Sequence, residues 1–352
     1  MTSRERVLQA IAHKPTDRAP ADYAAHQDVT DGLIKKMGVA DYEELLAAFH
    51  VDLRRIGVDY HQPDSGPDAE GYMRSKWGIR YLAKETGDGR PYLILPFTEE
   101  STVDDVHALK WPSPDVLDYS KVRGQLEKYH GEFATFGAPW SPFFHEVGDL
   151  IGQENFLVWM CTKPDVLQAI IDHFVDYEVG ATRRFLEAAD GLLDITFFGN
   201  DFGTQRGLFI SPQMWQNFIR KPLKRFYDVS HEFGCKVMQH SCGSICDIIP
   251  SLIEDGVDIL DPIQVAATGM EFSGLVRDFG DAICFHGGVD TQRTLPFGSA
   301  QDVRREVRSY LDATKGKGGY ILCGSQEFIE DIPLENIMAM YDENQRNRQA
   351  SR

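Results

Sequence analysis

The sequence predicts an α/β fold, a TIM (β/α)8 barrel with an N-terminal helical extension and a β-hairpin insertion. From Asp115 onward, short runs rich in Val, Ile, Leu and Phe alternate with longer amphipathic segments. This alternation is typical of parallel βαβ units. The chain has 352 residues, enough for seven to eight such units, and that number favours a closed barrel over an open sheet.

The first elements precede this alternation. Thr2 and Glu5 have the spacing of a capping box, and apolar residues follow on one helical face, so "TSRERVLQAIAHK" predicts a helix. "RAPADY" is a short strand candidate, which ends at Tyr23. A helix is predicted around "ADYEELLAAFH", and "VDLRRIGVDY" predicts a second strand.

Residues 71–114 have a different pattern. "KWGIRYLAKETGDGRPYLILPF" predicts a β-hairpin with Gly-Asp-Gly at its turn, and the two prolines of "WPSPD" then interrupt regular structure. We expect these residues to form an insertion or lid in a single domain that spans residues 1–352.

The remaining strands and helices follow in strict alternation. Strands are predicted over "FATFGAP", "LLDITFFGND", "KVMQHSCG", "VDILDPIQ", "AICFHGGVD" and "GYILCGSQ". The first helical region between them runs from "LIGQ" to "LEAA", with one break at Pro164. The later helices are predicted over "SPQMWQNFIRKPLKRFYDVSHEFG", "ICDIIPSLIEDG", "EFSGLVRDFG" and "AQDVRREVRSYLDATKG".

Composition excludes several classes of function. The formal net charge of −18 argues against nucleic acid and anionic membranes as partners. The sequence contains no run of eighteen apolar residues, the pattern that would predict a membrane span. The N-terminus lacks the apolar core of a signal peptide. Six scattered cysteines suit reduced thiols, so we expect a cytoplasmic protein. A homodimer is among the assemblies that the sequence allows.

Polar and metal-competent side chains follow most of the predicted strands. In a TIM barrel the active site lies at the carboxyl ends of the strands, so we expect these side chains to converge. They are Arg54, Arg55, Asn200, Asp201, Gln239, His240, Cys242, Asp261, Gln264, His286, Asp290, Cys323, Ser325 and Gln326.

His240 and Cys242 form the pair that most directly suggests a metal. Residues two apart on a strand point to the same face, and a third thiolate from Cys323 would complete a set that zinc favours, with a fourth position open for substrate. The alternative is that these residues are ordinary occupants of buried strands, because free cysteines are often buried.

Acidic residues near the strand ends have two interpretations. Asp201 and Asp261 are candidates for a base, a ligand-orienting partner or a substrate-binding carboxylate; otherwise they cap the following helices. "SPFFHEVGD" brings His145, Glu146 and Asp149 near another strand end, where a carboxylate could fill a fourth metal position.

Four segments resemble the uroporphyrinogen decarboxylase superfamily: "TSRERVLQAIAHKPTDRAPAD", "QHSCGSICDIIPSLIEDGVDILDPIQ", "HGGVDTQRTLPFG" and "GGYILCGSQEFIEDIPLENIMAMY". The resemblance runs over nearly the whole chain and implies a TIM barrel. True uroporphyrinogen decarboxylases carry an arginine-rich segment after the first strand, where this chain has "ADYAAHQDVTDG". A protein that binds a substrate with many carboxylates needs such cations, so decarboxylation of uroporphyrinogen is disfavoured for this chain.

The other branch of that superfamily resembles this chain more closely. Its cobalamin-dependent methyltransferases work with a corrinoid protein and bind zinc through a His-x-Cys pair and a distant cysteine. His240 and Cys242 match the pair. The distant cysteine stands where this chain has Gln326, so Cys323, three residues earlier, is the candidate third ligand.

The resemblance implies a zinc-dependent methyltransferase that moves a methyl group between a corrinoid (cobalamin) protein and a small thiol or methylated substrate. His240, Cys242 and Cys323 would bind zinc, and Asp201 and Asp261 would be catalytic. Substrate contacts would come from Tyr23, Gln264, His286 and Gln326.

Two other functions fit the residues. A metal-free decarboxylase or lyase of a carboxylated substrate would use Asp201 with Arg54, Arg55 and Arg206. A docking protein for a corrinoid carrier would keep the barrel without catalysis.

Overall fold

The computed structural model describes residues 1–60, 66–82, 87, 89 and 91–350. The strands of these ranges, in chain order, are β1 (Leu53–Ile56), β2 (Asp59–Tyr60), β3 (Tyr72–Arg74), β4 (Arg80–Leu82), β5 (Leu93–Ile94), β6 (Leu117–Asp118), β7 (Ala134–Gly137), β8 (Ile195–Gly199), β9 (Lys236–His240), β10 (Ile259–Ile263), β11 (Cys284–Val289) and β12 (Tyr320–Gly324).

The α-helices of the same ranges are α1 (Ser3–Ile11), α2 (Gln27–Met37), α3 (Tyr42–Ala48), α4 (Val103–Ala108), α5 (Val122–Tyr129), α6 (Phe143–Ile151), α7 (Gln153–Thr162), α8 (Pro164–Ala189), α9 (Pro212–Trp215), α10 (Lys221–Glu232), α11 (Ile249–Glu254), α12 (Phe272–Phe279), α13 (Thr294–Phe297), α14 (Ala300–Ala313) and α15 (Leu334–Ala350). Short 3-10 turns span Pro114–Val116 and Cys246–Ile248, and a π-helical turn spans Gln216–Arg220.

A curled parallel sheet of seven strands forms the centre, in the order β1-β7-β8-β9-β10-β11-β12. The predicted alternation of parallel strands and helices is therefore confirmed. Because all seven strands are parallel, their carboxyl ends meet on one side of the sheet. That side carries most of the polar residues singled out in the sequence.

The predicted first strand, "RAPADY", is reduced to an isolated parallel bridge between Ala21 and Leu322 of β12. On its other side, the backbone N–H of Asp52 donates to the carbonyl of Ala21 at 2.8 Å, just before β1 begins. Pro20 has no N–H to extend a ladder. The segment therefore hydrogen-bonds next to both edge strands of the sheet without forming a regular strand.

One layer of apolar side chains fills the concave side of the sheet. Alternate residues of a strand face the same way, and these inward positions are buried: Leu53, Ala134, Ile195, Met238, Ile259, Cys284 and Ile321. The predicted N-terminal helix adds Val7 and Ile11 to the same cluster. Its capping box is formed by Thr2 and Glu5, as expected. Helix α1 thus covers the apolar layer.

The residues predicted to form an insertion, 71–114, lie between β2 and β6. β2 and β6 pair as antiparallel strands, which brings the two ends of this region together. β4 and β5 form the predicted hairpin and extend into a three-stranded antiparallel sheet with β3; much of the intervening turn, residues 83–86, 88 and 90, lies outside the described residues.

The insertion packs against helices α6 and α8. Trp77 contacts Phe174 with ring centroids 4.0 Å apart. Beside it, the Nζ atom of Lys76 lies 3.8 Å from Glu146 and 3.7 Å from Glu178. Glu178 is 1% exposed, so a hydrophobic contact and a buried polar contact both hold these residues against the helices.

Several helices differ from those predicted, in their boundaries or because the sequence did not indicate them. The region expected to break once, at Pro164, breaks also at Gly152, whose φ of +89° lies in the left-handed region that glycine tolerates. Helix α2 was not predicted, although Val29, Leu33 and Met37 recur on it at helical spacing. No helix within the described ranges is long and apolar enough to cross a membrane.

Candidate functional site

A cavity of about 850 Å³ lies at the carboxyl ends of the central strands. Its floor is built from the inward-facing residues two positions beyond the apolar layer. These residues are Arg55, Phe136, Phe197, His240, Asp261, His286 and Cys323. The same face of each strand therefore contributes one side chain to the buried apolar layer and the side chain two positions later to the cavity floor.

Three potential metal ligands converge on one side of this floor. Atoms of Asp201, His240 and Cys242 all lie within 4.8 Å of one another. Nε2 of His240 is 3.3 Å from Sγ of Cys242 and 3.3 Å from Oδ1 of Asp201. His240 ends β9, and Asp201 follows the neighbouring strand β8, whose pairing with β9 brings the two together. We call these residues the ligand triad.

The loop after β9 is held so that Cys242 faces the triad. The backbone N–H of Cys242 donates to Oδ1 of Asp201 at 2.8 Å, and Nε2 of Gln326 donates to its Sγ at 2.6 Å. The N–H of Gly243 donates to Oε1 of Gln264 at 2.7 Å. Gly243 has a φ of +84°, and a Cβ there would lie 2.4 Å from the Gly203 backbone, so glycine is required.

A chain of buried hydrogen bonds lies behind His240. Its Nδ1 is 2.6 Å from Oδ2 of Asp261, whose Oδ1 is 2.5 Å from Nδ1 of His286. Nε2 of His286 reaches Asp22 at 3.2 Å. Because Asp261 engages Nδ1, the ring of His240 is oriented with Nε2 toward Cys242 and Asp201, as partners of metal-binding histidines commonly do.

These contacts shift the pKa values of the charged groups. Burial opposes the charge of Asp201 and Asp261, yet hydrogen bonds and charge from the histidines outweigh it and hold both pKa values well below the usual range. Burial likewise opposes the imidazolium forms, but the carboxylates raise the pKa of His286 to about 10 and that of His240 well above its ordinary value. The chain is therefore a set of ion pairs at neutral pH.

The two cysteines of the cavity differ in their surroundings. Burial raises the pKa of Cys242, and contact with His240 partly offsets this effect. Cys323 is 2% exposed, and burial raises the pKa of its thiol well above the ordinary value. Both are thiols at neutral pH in the metal-free protein, so binding a metal through either requires loss of its proton.

The predicted site residues occupy three different positions in the structure. His240 and Cys242 join Asp201 in the triad, with Gln326 touching Cys242. Asp261 and His286 lie directly behind His240. Cys323 lines the cavity but is not part of the triad.

The other two predicted substrate contacts have partners within the protein. The hydroxyl of Tyr23 lies 3.0 Å from that of Thr30 on the cavity wall, and burial raises the pKa of Tyr23 to about 12. Gln264 is buried and holds the Gly243 loop through its side-chain oxygen. Gln264 therefore supports this loop from behind the cavity wall.

The segment "SPFFHEVGD" supports the site without joining the triad. Nε2 of His145 accepts the backbone N–H of Asp201 at 3.1 Å, while Glu146 faces Lys76 of the insertion. Sequence reasoning missed Trp140, whose ring stands edge-on to His240 with centroids 5.6 Å apart. Its position just after a strand, in "FGAPW", is the signal that could have identified it.

The triad offers a carboxylate, an imidazole and a thiol. This donor set suits zinc, which accepts oxygen, nitrogen and sulfur ligands and leaves a fourth position for substrate in catalytic sites. The orientation of His240 by Asp261 matches the partner that a metal-bound histidine needs. The residues present therefore fit a zinc ion.

Comparisons with known proteins agree with this fold. A family model described as uroporphyrinogen decarboxylase (URO-D) matches residues 78–346. A methylcobamide:CoM methyltransferase, MtaA, of Methanosarcina barkeri (strain Fusaro / DSM 804) is 21% identical over 96% of both chains. A second protein of that name from Methanosarcina barkeri is 23% identical over 54% of this chain and 52% of its own. The solved structure of a methyltransferase from Methanosarcina mazei covers 99% of both chains with a TM-score of 0.62 and 17% identity.

Proposed function

The chain belongs to the uroporphyrinogen decarboxylase family, and from that premise we propose that it is a zinc-dependent methyltransferase. It would move a methyl group between a corrinoid (cobalamin) carried by a partner protein and a small thiol or methylated substrate. The observation that carries this proposal is the convergence of Asp201, His240 and Cys242 at the cavity floor. The names of the two curated relatives support the same chemistry.

Asp201, His240 and Cys242 would hold the zinc ion, and Cys323 is the alternative third ligand that the sequence suggests. When bound, zinc would lower the pKa of a substrate thiol so that its thiolate is available near neutral pH. His240 would hold the ion through Nε2, because Asp261 contacts Nδ1. Gln326 donates to Sγ of Cys242 and would thereby stabilise the thiolate form.

The remaining floor residues would shape the space for substrate. Phe197 and Trp140 pack edge-on around the ring of His240 and limit access of water from that side. His286, whose Nε2 contacts Asp22, keeps Asp261 ionised, so that Asp261 remains an acceptor for Nδ1 of His240. These side chains orient the ligand triad and do not themselves need to exchange protons during methyl transfer.

The cavity would sit in the mouth of a complete eight-stranded barrel, with the extended segment at Ala21 in the place of the eighth strand. Its hydrogen bonds to Asp52 on one side and to the Leu322 backbone on the other support this closure. The mouth opens where the strands end, so a corrinoid domain would approach from that side. We place the protein in the cytoplasm, consistent with six free cysteines.

Elemental analysis would test the metal site on protein purified without chelator. We expect about one zinc per chain, lost in Asp201→Ala, His240→Ala and Cys242→Ala, and retained in Cys323→Ala. The matched control is Cys246→Ala, a partly exposed cysteine outside the triad. Loss in Cys323→Ala with retention in Asp201→Ala would make Cys323 the third ligand. Wild-type protein that contains no zinc, even after zinc is supplied, would contradict the proposal.

A metal-free decarboxylase of a carboxylated substrate is the second candidate. The observation that favours it is the presence of two arginines, Arg54 and Arg55, in the cavity wall. Arg54 is already engaged by Glu43 at 3.0 Å, which leaves a single arginine for substrate carboxylates. This candidate predicts full activity in Cys242→Ser, whereas the methyltransferase predicts its loss.

A further inference from the structure

Two histidines from different helices meet on the surface of the protein. His107 lies on α4, among the residues predicted to form an insertion, and His173 lies on α8. Nδ1 of His107 is 3.0 Å from Nε2 of His173. His107 is exposed and His173 is half-buried, so solvent reaches the contact. Neither residue belongs to the lining of the cavity at the carboxyl ends of the strands.

The tryptophan Trp111 holds the ring of His173 in place. The two ring centroids are 4.7 Å apart, and the ring planes are 11° from parallel. The indole N–H of Trp111 donates to the carbonyl of Val106 at 2.9 Å, next to His107 in the chain. Trp111 also packs edge-on against Phe174, with centroids 5.7 Å apart. Both imidazoles are therefore positioned in advance, which reduces the entropy lost when a ligand binds.

The separation of the two nitrogen atoms fits two ligands of one metal ion. A nitrogen ligand lies about 2.0–2.1 Å from a divalent ion such as zinc, so two of them are about 2.9 Å apart at a right angle and about 3.3 Å apart at a tetrahedral angle. The observed 3.0 Å is closer to the right angle, which neighbouring ligands form in the tetragonal sites of Cu²⁺ and Ni²⁺. The same distance suits a hydrogen bond, in which a proton takes the place of the ion.

The protonation state of the pair is suited to binding a metal. Burial, and then the neighbouring His107, lowers the pKa of His173 below its ordinary value, so its imidazole is neutral at neutral pH. Each ring would bind through the nitrogen that lies in the contact and keep its proton on the other nitrogen, Nε2 of His107 and Nδ1 of His173. Binding would require a change of tautomer but no loss of a proton.

Negative charge lies beside the pair on α8. Asp172 and Asp176 both act to raise the pKa of His173, against the effect of burial. Asp176 is paired with Arg225 at 2.7 Å, whereas Asp172 accepts a hydrogen bond at 2.9 Å from the neutral amide of Gln168, which leaves its charge in place. A carboxylate next to two imidazoles attracts a cation to the site.

We propose that His107 and His173 form a second metal site, which binds a divalent ion of tetragonal preference, Cu²⁺ or Ni²⁺, and joins α4 to α8. Two imidazoles leave further coordination positions for water. The ion would fasten the insertion to the barrel at this contact. The site shares no residue with the ligand triad, so the inference goes beyond the proposed function and does not rest on it.

Isothermal titration calorimetry on protein without an affinity tag would test the site. The titrated protein carries His240→Ala, which removes the imidazole of the ligand triad, and the probes are Ni²⁺ and Cu²⁺. We expect about one ion per chain, with Cu²⁺ bound more tightly than Ni²⁺. Loss of a residue behind a metal ligand costs roughly 10- to 100-fold in affinity. Loss of a ligand, in His107→Gln or His173→Phe, should therefore cost at least about tenfold.

Two features of the variants make the comparison specific. His173→Phe keeps an aromatic ring against Trp111, so the packing of this surface is preserved. The matched control is His130→Gln, which removes an exposed histidine at the end of α5 and should leave the affinity unchanged. Electron paramagnetic resonance of the Cu²⁺ form should show two nitrogen ligands, and only one in each ligand variant. Absence of binding, or equal affinity in the ligand variants and the control, would overturn the site.

Hydrogen exchange would test whether the ion joins the two helices. A ligand that binds only the closed state slows the exchange of the amides that local opening exposes. We expect Ni²⁺ to slow exchange in α4 but not in α5, and to have no such effect in His107→Gln. Binding without slower exchange in α4 would contradict the bridge. Because the triad is already disrupted in the titrated protein, these outcomes do not depend on whether the triad binds zinc.

Discussion

Asp261 holds His240 by its Nδ1 atom at a distance of 2.6 Å, and this contact directs Nε2 toward Cys242 and Asp201. The neighbouring strands β9 and β10 place the two residues opposite each other in register. The orientation of the imidazole is thus determined by the sheet before any metal binds.

Replacing Asp261 by asparagine should weaken zinc binding without abolishing it. The amide keeps the size of the side chain but loses the charge that fixes the tautomer of His240, and loss of such a partner typically costs roughly 10- to 100-fold in metal affinity. Competition with a chromophoric zinc chelator would measure the change. The control is Asp258→Asn, just before the same strand, whose carboxylate lies 2.9 Å from Nζ of Lys236 and outside the ligand triad. Equal weakening in both variants would contradict a specific role for Asp261.

The pH dependence of stability should reveal the buried charge of His286. Burial alone would lower the pKa of His286, but Asp261 and Asp22 outweigh this effect and raise it from 6.5 to about 10. A raised pKa of this kind stabilises the fold fully below about pH 6.5, and the stabilisation is lost as pH rises through about 10. We therefore expect His286→Gln to lower the free energy of unfolding of metal-stripped protein by about 3–5 kcal/mol at pH 6.

The gap between wild type and His286→Gln should narrow steadily toward pH 10. Urea unfolding at pH 6, 8 and 10 would measure it. His231→Gln, which removes an exposed histidine 3.5 Å from Asp258, serves as the control and should change the free energy by less than about 1 kcal/mol. A difference independent of pH would show that His286 is neutral in the folded protein.

Glu178 should destabilise the fold when it ionises. Burial raises its pKa to about 8, against the partial compensation of Lys76. Protonated Glu178 therefore contributes stability below its unfolded pKa, and this contribution is lost as pH rises through about 8. Below the ordinary pKa of 4.5, Glu178→Gln should unfold with nearly the free energy of wild type, since both side chains are neutral in the folded and the unfolded chain.

As pH rises from 4.5 to about 8, the variant should gain on wild type by roughly 1 kcal/mol per pH unit, and the gap should level off above about pH 8. Chemical denaturation at several pH values would test this, with Glu232→Gln, an exposed partner of Arg183, as the control. If wild type remained the more stable protein at pH 9, the ion pair with Lys76 would outweigh the cost of burial.

Much of the fold could be predicted from alternating patterns. Residues two apart on each strand point the same way, so the alternation by itself assigns Leu53 and Met238 to an apolar layer and Arg55 and His240 to the cavity floor. Boundaries were harder, because the break at Gly152 depends on backbone conformation and not on hydrophobic pattern. Likewise, Pro20 prevents the predicted first strand from forming a ladder.

The residues of the candidate site could be predicted individually, but their arrangement in space could not. His240 and Cys242 are near in sequence, and strand geometry alone places them together. Asp201 joins them from 41 positions away through the hydrogen bond to the Cys242 backbone, which requires the register of β8 against β9. No local pattern carries that register, so the carboxylate of the triad emerges only from the fold.

By its resemblance to the cobalamin-dependent methyltransferases, the sequence places the distant cysteine of that branch at Gln326, and Nε2 of Gln326 touches Sγ of Cys242. Gln326→Cys should therefore place a second thiolate at the triad and tighten zinc binding by about tenfold or more, because thiolates are strong zinc ligands. Chelator competition would measure the affinity. Cobalt substitution would add a readout, since a further sulfur ligand strengthens the sulfur-to-metal charge-transfer band.

The control for this substitution is Ser325→Cys, because Ser325 is buried against Thr291 and faces away from the triad. Both variants are measured under reductant to keep the thiols free. Unchanged affinity and spectrum in Gln326→Cys would mean that position 326 does not approach the metal. Adding Cys323→Ala to Gln326→Cys then separates the two cysteines: if Asp201 is the native third ligand, the double variant binds zinc as tightly as Gln326→Cys alone.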